Sequence, residues 1–359
     1  MLMRAPHRRR SIPTSPVGLA SSLEMSYGNH LCRMKLRLLL FTTLCVNASL
    51  HAKVPTKPSG KIVSRTPSKA NASPSATPKP TQSNVHYGTH ERHLLDFWKA
   101  PSSSPTPLVL IIHGGGWGSG SKAEGARFAD ISMLLKAGIS VVSINYRLIR
   151  QNPSVDTSPP VKAPLHDAAR ALQFVRSKAK EWNIDKARIG AAGGSAGACS
   201  SIWLAFHADL ADPRSNDPIA RESTRLTCAA VVSPQTTLDP EQMKKWIPNS
   251  YYGGHAFGFS SFEAFLAGRR SILPLIAEYS PYALVSADDP PIHMTFSSAP
   301  AVGETQSDPT HSANFGIKLA ERCAKKGVQA DVSYPGAPNI RHASPTAFLI
   351  AKLKPSTNG

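Results

Sequence analysis

Gly193-Gly194-Ser195-Ala196-Gly197 is the stretch of this 359-residue sequence that decides the fold. An apolar run over residues 189–192 stands directly before it, which is typical of a buried strand that ends in a very tight turn and a helix. Small residues around Ser195 allow this strained turn to form and leave the hydroxyl exposed to a substrate. The pattern therefore predicts a nucleophilic serine between a strand and a helix.

A second glycine-rich stretch lies upstream. The apolar residues 108–112 predict another buried strand, which ends in His113-Gly114-Gly115-Gly116-Trp117. Attack of a hydroxyl on an ester carbonyl places negative charge on oxygen, and backbone N–H groups exposed by consecutive glycines can stabilise that charge. One such donor typically lowers the barrier by roughly 3 to 4 kcal/mol. Together, the two stretches indicate an acyl-transfer site. A glycine turn that serves only to reverse the chain is the less favoured interpretation.

From about Tyr87 to its C terminus, the chain resembles the hormone-sensitive-lipase-like branch of the α/β-hydrolase superfamily, a group of esterases and lipases. Besides the two glycine stretches, the resemblance rests on Asn145-Tyr146-Arg147-Leu148 and on Asp167-Ala168-Ala169-Arg170-Ala171. It implies an α/β-hydrolase fold, in which a mostly parallel central sheet carries helices on both faces. It also implies that no cofactor is needed, and that the oxyanion hole uses three backbone N–H groups, those of Gly115, Gly116 and Ala196.

A serine hydroxyl needs a histidine to take its proton and a carboxylate to orient that histidine, and in this fold the acid precedes the histidine in the chain. The histidines that follow Ser195 are His207, His255, His293, His311 and His342. We predict His342 as the base, because it ends the loop after the last predicted strand, residues 328–334. His311 and His293 are weaker candidates, since His293 falls within another predicted strand.

The acid is expected in the loop over residues 297–310, where the resemblance places an aspartate. Asp308 is our choice, because it stands directly before a helix predicted from residue 312 and so lies where the loop returns to the sheet. Glu304 is the alternative. The predicted catalytic residues are therefore Ser195, Asp308 and His342.

The chain divides into an irregular N-terminal part and a globular part. We predict an upstream extension over 1–33, a signal peptide over 34–52 and a disordered linker over 53–85, in which Pro, Ser, Thr, Lys and Arg dominate. The apolar core of the signal, residues 38–46, is too short for a permanent membrane anchor. We therefore expect a secreted or periplasmic protein with no integral membrane span in the mature chain. Residues 86–359 form the predicted hydrolase domain, with a cap-like excursion over 234–291.

Charge and cysteine usage limit the function classes. The net charge is +18, but residues 1–85 hold 13 Lys or Arg and one acidic residue, which leaves +6 for the rest. A basic nucleic-acid-binding domain is therefore not expected. The cysteines after the leader are Cys199, Cys228 and Cys323, an odd number, and we expect buried thiols. No His or Cys spacing indicates zinc and no EF-hand loop indicates calcium, so no metal is predicted.

These observations predict a serine hydrolase that cleaves carboxylic esters through an acyl-enzyme. The substrate is expected to be a small-molecule or polysaccharide-linked ester. Two alternatives stay open: a non-catalytic binding protein with the same fold, and a peptidase of the prolyl-oligopeptidase type. The sequence leaves open the acyl and alcohol groups, the choice between lipase and small esterase, and the oligomeric state.

Overall fold

The computed structural model of the protein describes residues 77–149 and 158–354. The predicted upstream extension (1–33), the signal peptide (34–52) and most of the linker (53–85) lie outside these residues. Within the described ranges, no helix combines the length and the apolar character needed to cross a bilayer.

One sheet of eight strands forms the centre of the described chain. The strands are β1 Gln82–His86, β2 Leu94–Trp98, β3 Thr106–Ile112, β4 Ser140–Ile144, β5 Ile184–Gly194, β6 Cys228–Val232, β7 Ile292–Thr295 and β8 Ala330–Ser333. Their order in the sheet is β1-β2-β4-β3-β5-β6-β7-β8. The pairs β1·β2 and β2·β4 are antiparallel, and all other neighbours are parallel. The predicted mostly parallel sheet is confirmed.

Helices cover both faces of this sheet. They are α1 Ile131–Lys136, α2 Lys162–Ser177, α3 Ala179–Trp182, α4 Ala196–Phe206, α5 Pro240–Trp246, α6 Phe262–Gly268, α7 Leu273–Tyr279, α8 Pro281–Leu284, α9 Asn314–Ala324 and α10 Pro345–Leu353. Alternate residues of β3 show the two layers: Leu110 packs in the cluster that contains α2 and α4, whereas Ile111 packs in the cluster that contains α1 and α10. A strand covered on both faces needs apolar residues at every position, which explains its continuous apolar run.

The predicted excursion over 234–291 corresponds to α5–α8 and two 3-10 helices between β6 and β7. Three of its phenylalanines contact one another: the ring centroid of Phe265 lies 5.6 Å from that of Phe257 and 6.2 Å from that of Phe262. All three rings are buried. The three rings belong to the larger hydrophobic cluster of the domain, so the excursion packs as part of the domain core.

The linker predicted over 53–85 extends too far, because its last residues form β1. Val85 pairs with Leu95 of β2, and the backbone N–H of Asn84 donates to Asp96 Oδ1 at 2.9 Å. Trp98 Nε1 also donates to the carbonyl of Pro78 at 2.7 Å. Composition alone indicated a disordered segment here, but an edge strand is stabilised by hydrogen bonds of its backbone, which do not depend on apolar side chains.

The prediction of buried thiols is confirmed. Cys199, Cys228 and Cys323 are buried and free. Burial raises the pKa of Cys228 to about 12 and that of Cys323 to about 12, so both thiols stay protonated near neutral pH and are poor nucleophiles.

Candidate active site

Ser195 occupies the sharp turn between β5 and α4. Its backbone has φ 52° and ψ −119°, a conformation that non-glycine residues rarely adopt and that costs on the order of 1 to 3 kcal/mol. The turn is held from the neighbouring strand, since the N–H of Ser195 donates to the carbonyl of Val232 at 2.9 Å. The structure thus places the serine hydroxyl at the carboxyl edge of the sheet.

The glycines around Ser195 are required by close backbone approach. A Cβ on Gly197 would lie 2.1 Å from the carbonyl oxygen of Ile112, and a Cβ on Gly193 would lie 2.5 Å from the carbonyl oxygen of Gly197. Both contacts are with backbone atoms, which cannot rotate away. Helix α4 therefore starts directly against the end of β3 only because these positions carry no side chain.

The glycine-rich loop after β3 lies against this turn. Gly115 and Gly116 have φ values of +96° and +61°, and the N–H of Gly118 donates to the carbonyl of Gly115 at 3.0 Å. None of the described residues accepts a hydrogen bond from the backbone N–H of Gly115, Gly116 or Ala196. The family resemblance assigns these three donors to the oxyanion hole.

Tyr146 holds the glycine-rich loop in place. Its hydroxyl donates to the carbonyls of His113 and Gly114, at 2.9 Å and 3.0 Å, and its ring stacks on that of His113 at 4.1 Å between centroids. Burial lowers the pKa of His113 to about 4, so this imidazole is neutral at physiological pH. In the sequence Tyr146 is one residue of a family motif, and in the fold its hydroxyl and ring fix the glycine-rich loop.

Arg147, the next residue of that motif, anchors the segment to α2. Its guanidinium forms a two-pronged ion pair with Asp167, with a shortest distance of 2.6 Å, and His93 Nε2 lies 3.1 Å from the same carboxylate. Burial raises the pKa of Asp167, but hydrogen bonds from His93 and Arg147 lower it by more, so the net pKa is below the usual aspartate value. The carboxylate is therefore stabilised in its charged form.

Replacing Asp167 with asparagine is expected to reduce the free energy of unfolding by about 3 kcal/mol at pH 7, because the partly buried Arg147 then lacks its buried counter-charge. The lowered pKa of Asp167 stabilises the fold above the unfolded pKa of about 3.9, and this contribution is lost as the pH falls through the folded value. Urea unfolding of both proteins between pH 3 and pH 7 measures this difference. It should shrink towards pH 3; an equal difference across the range would contradict the ion-pair explanation.

The surface pair of Lys178 and Glu181 provides a control for that experiment. The carboxylate of Glu181 is 57% exposed and lies 2.8 Å from the Lys178 amine. Since exposed ion pairs contribute little to stability, Glu181→Gln is expected to change unfolding much less than Asp167→Asn at every pH.

His311 and Asp308 extend from Ser195 as a chain of hydrogen bonds. His311 Nε2 lies 2.9 Å from Ser195 Oγ, and His311 Nδ1 lies 2.8 Å from Asp308 Oδ2. A carboxylate can only accept, so the proton of the neutral ring is on Nδ1, and Nε2 is left to accept from the serine hydroxyl. Both residues lie in the loop between β7 and α9, and the backbone N–H of His311 donates to the carbonyl of Asp308 at 3.3 Å. The structure therefore brings the predicted Ser195 and Asp308 together with His311.

His342 does not lie beside Ser195, and its prediction as the base is corrected by this geometry. Its ring centroid lies 5.2 Å from that of Phe348 in α10 and 6.3 Å from that of His293 in β7. Burial lowers the pKa of that neighbouring His293 to about 4, so the ring beside His342 is neutral near pH 7. The loop before α9 supplies both a carboxylate and a histidine to the hydrogen-bond chain at Ser195, so the loop after β8 need not supply a histidine. Glu304, the alternative acid, is exposed and forms no hydrogen bond or ion pair with His311 in the described structure, where His311 Nδ1 pairs with Asp308.

A signal for His311 was present in the sequence. Asp308 and His311 are three residues apart, directly before a predicted helix, and a turn at such a place brings side chains at this spacing together. We instead expected the acid and the histidine on two different loops, each after its own strand, as in the chain order of the resembled family.

An open cavity of about 880 Å³ joins these groups. Ser195, Asp308 and His311 line one part of it, together with the glycine-rich loop. Large side chains of the excursion also line it, among them Tyr251, Tyr252, His255, Phe259 and Phe262. His255 Nε2 lies 3.1 Å from the carbonyl oxygen of Gly116, so the excursion is tied directly to the glycine-rich loop.

Known proteins are similar to part of this chain. Esterase LipC of Mycobacterium tuberculosis is 30% identical over 138 residues, which are 37% of this chain and 30% of LipC. The chain spans about a third or less of the length of the curated relatives that it matches.

Two solved structures share the fold. Esterase 2 of Thermogutta terrifontis, phosphonylated by sarin, matches with a TM-score of 0.55 and 21% identity over 72% of this chain and 85% of its own. A truncated carbohydrate esterase from gut microbiota matches with a TM-score of 0.54 and 23% identity over 73% of this chain and 89% of its own.

The model of the family described as BD-FAE matches residues 95–313. This range includes the glycine-rich loop, the turn at Ser195 and the loop that carries Asp308 and His311. With the α/β-hydrolase sheet in place and more than half of the chain matched, the protein belongs to the BD-FAE family, within the hormone-sensitive-lipase-like α/β-hydrolases.

Proposed function

We propose that this protein hydrolyses carboxylic esters through an acyl-enzyme, with Ser195 as nucleophile, His311 as base and Asp308 as the group that orients His311. The observation that carries the proposal is the continuous hydrogen-bond chain from Ser195 Oγ through the two His311 nitrogens to Asp308, with distances of 2.9 Å and 2.8 Å. Such a chain raises the nucleophilicity of a serine, whose hydroxyl is otherwise a weak nucleophile at neutral pH.

In the first half of the reaction, Ser195 Oγ attacks the ester carbonyl carbon while His311 Nε2 takes the hydroxyl proton. The charge that develops on the carbonyl oxygen is stabilised by the backbone N–H groups of Gly115, Gly116 and Ala196. When the tetrahedral intermediate collapses, the bond to the alcohol oxygen breaks and His311 returns the proton to that oxygen. The alcohol leaves, and the acyl group stays on Ser195.

In the second half, water attacks the acyl carbon and gives a proton to His311 Nε2. The new intermediate collapses to the carboxylic acid, and His311 returns the proton to Ser195 Oγ. Asp308 stays ionised throughout and stabilises the imidazolium that forms in each half. Every step uses residues of this chain and water alone, so no cofactor or metal is needed.

The proposed substrate is an ester of a small molecule or of a sugar in a polysaccharide. A cavity of about 880 Å³ lies within the range of small-ligand sites, and its open mouth leaves room for the rest of a larger alcohol. The names of the similar proteins, which include an esterase and a carbohydrate esterase, support the same class.

A non-catalytic binding role is the less favoured reading. Ligand binding by itself has no need for a serine in a strained conformation, or for a histidine and a carboxylate aligned behind it. The prolyl-oligopeptidase type of peptidase has no specific observation in its favour.

We also propose export from the cytoplasm, supported by the charged start and short apolar core of residues 34–46. Expression of the whole chain in a bacterial host, followed by fractionation and N-terminal sequencing, tests this. Cleavage after Ala48 or Ala52 with the product outside the cytoplasm is the expected result, and an uncleaved cytoplasmic product would refute it.

The test of the proposed activity combines turnover with covalent labelling. Purified protein is assayed on p-nitrophenyl esters of increasing acyl length and on an acetylated xyloside, and is treated with a fluorophosphonate, the chemical class to which sarin belongs. We expect turnover of short acyl chains and a phosphonyl adduct on Ser195 identified by mass spectrometry. Ser195→Ala is the unreactive control. Absence of both turnover and labelling would refute ester hydrolysis and favour the binding role.

A further inference from the structure

Tyr252 is a cavity residue that the catalytic proposal leaves without a role. It lies in the excursion, between α5 and the 3-10 helix Gly254–Phe257. Its hydroxyl is buried and has no hydrogen-bond partner among the described residues. It stands beside the glycine-rich loop, 3.1 Å from the point where a Cβ on Gly116 would lie. Buried hydroxyls in native proteins are almost always paired, so this one is explained best by a partner that arrives with the substrate.

The Tyr252 ring is held at this place. The ring of His255 meets it edge-on, with 4.7 Å between centroids and an interplanar angle of 70°. His255 in turn lies 3.1 Å from the carbonyl oxygen of Gly116 through its Nε2, which must donate because a carbonyl can only accept. The excursion therefore positions the phenol and the glycine-rich loop relative to each other before a substrate binds.

The phenol can act only as a neutral hydrogen-bond group near neutral pH. Burial raises the pKa of Tyr252, and the nearby Cys199 raises it further. The hydroxyl thus keeps its proton and has it available to an acceptor. The N–H of Gly116, beside the phenol, is also a hydrogen-bond donor. Two donated protons cannot pair with each other, so both groups need an acceptor, which an oxygen of the ligand would supply.

We propose that Tyr252 Oη donates a hydrogen bond to the carbonyl oxygen of the bound ester, beside the N–H of Gly116, and is a further catalytic residue. This role rests on the proposed ester hydrolysis. It adds a side-chain donor from the excursion to the backbone donors of the oxyanion hole. The hydrogen bond strengthens as negative charge develops on that oxygen, so its effect falls on the transition state more than on the bound substrate.

Tyr252→Phe tests the role because it removes one oxygen and keeps the ring. We expect kcat/KM on p-nitrophenyl acetate to fall about 10- to 100-fold, mostly through kcat. A trifluoromethyl ketone, which forms a charged tetrahedral adduct with an active serine, should lose affinity by a similar factor. The thermal midpoint should not fall, since the substitution removes an unpaired buried hydroxyl.

Tyr282→Phe is the matched control, because Tyr282 lies in α8 of the same excursion, packs edge-on against Trp246 and does not line the cavity. It should stay within about twofold of the unaltered protein. If the unaltered protein is active and Tyr252→Phe is equally active, the role of Tyr252 is overturned while the proposed function stands. If the unaltered protein shows neither turnover nor labelling of Ser195, both proposals are overturned.

Discussion

Replacement of His311 by alanine is expected to lower kcat/KM by about 10⁴-fold or more, whereas replacement of His342 should leave it within about twofold. The reason is geometric. His311 Nε2 lies 2.9 Å from Ser195 Oγ, so its loss leaves the serine without a base in either half of the reaction. His342 contacts Phe348 and His293 instead, and its loss removes a packing contact remote from the serine.

The measurement is the steady-state hydrolysis of p-nitrophenyl acetate by both variants, with circular dichroism to show that each is folded. The rate of phosphonylation at Ser195 gives a second readout, since it depends on the nucleophilicity of the serine and not on deacylation. His311→Ala should lose most of this rate and His342→Ala should keep it. The reverse pattern would restore His342 as the base and refute the assignment made from this structure.

The second large effect is expected at Asp308. Asp308→Ala should lower kcat/KM by about 10²- to 10³-fold, less than the roughly 10⁴-fold typical of buried triad aspartates. Its side chain is 59% exposed, so water can replace part of the stabilisation of the imidazolium. Asp308→Asn should cost a similar factor, because an amide in this position can hold the wrong histidine tautomer.

Glu304→Ala is the control for Asp308, since Glu304 lies in the same loop and was the alternative acid. It should keep activity within about twofold. The comparison needs kcat/KM for all three variants at neutral pH. Loss of activity in Glu304→Ala together with retention in Asp308→Ala would mean that the loop rearranges when substrate binds and that the acid is Glu304.

The central strands of the fold were predictable because their local sequence pattern, a continuous apolar run, matches their burial in the sheet. The apolar run over 108–112 lies within β3 (Thr106–Ile112), and the apolar run over 189–192 lies within β5 (Ile184–Gly194). A continuous apolar run followed by a glycine-rich segment predicts a strand that is buried on both faces and ends in a tight turn. β1 was missed because an antiparallel edge strand is stabilised by backbone hydrogen bonds, and its polar side chains resemble those of a linker.

The sequence by itself determined the nucleophile turn, the glycine-rich loop and the mostly parallel sheet, since each depends on which residues can adopt a given backbone conformation or be buried. Gly197 illustrates this, because any side chain there would meet the backbone of β3. Only the tertiary structure decided which histidine serves Ser195 and which tyrosine lies beside Gly116. Those choices depend on distances of about 3 Å between residues far apart in the chain, and neither composition nor periodicity encodes such distances.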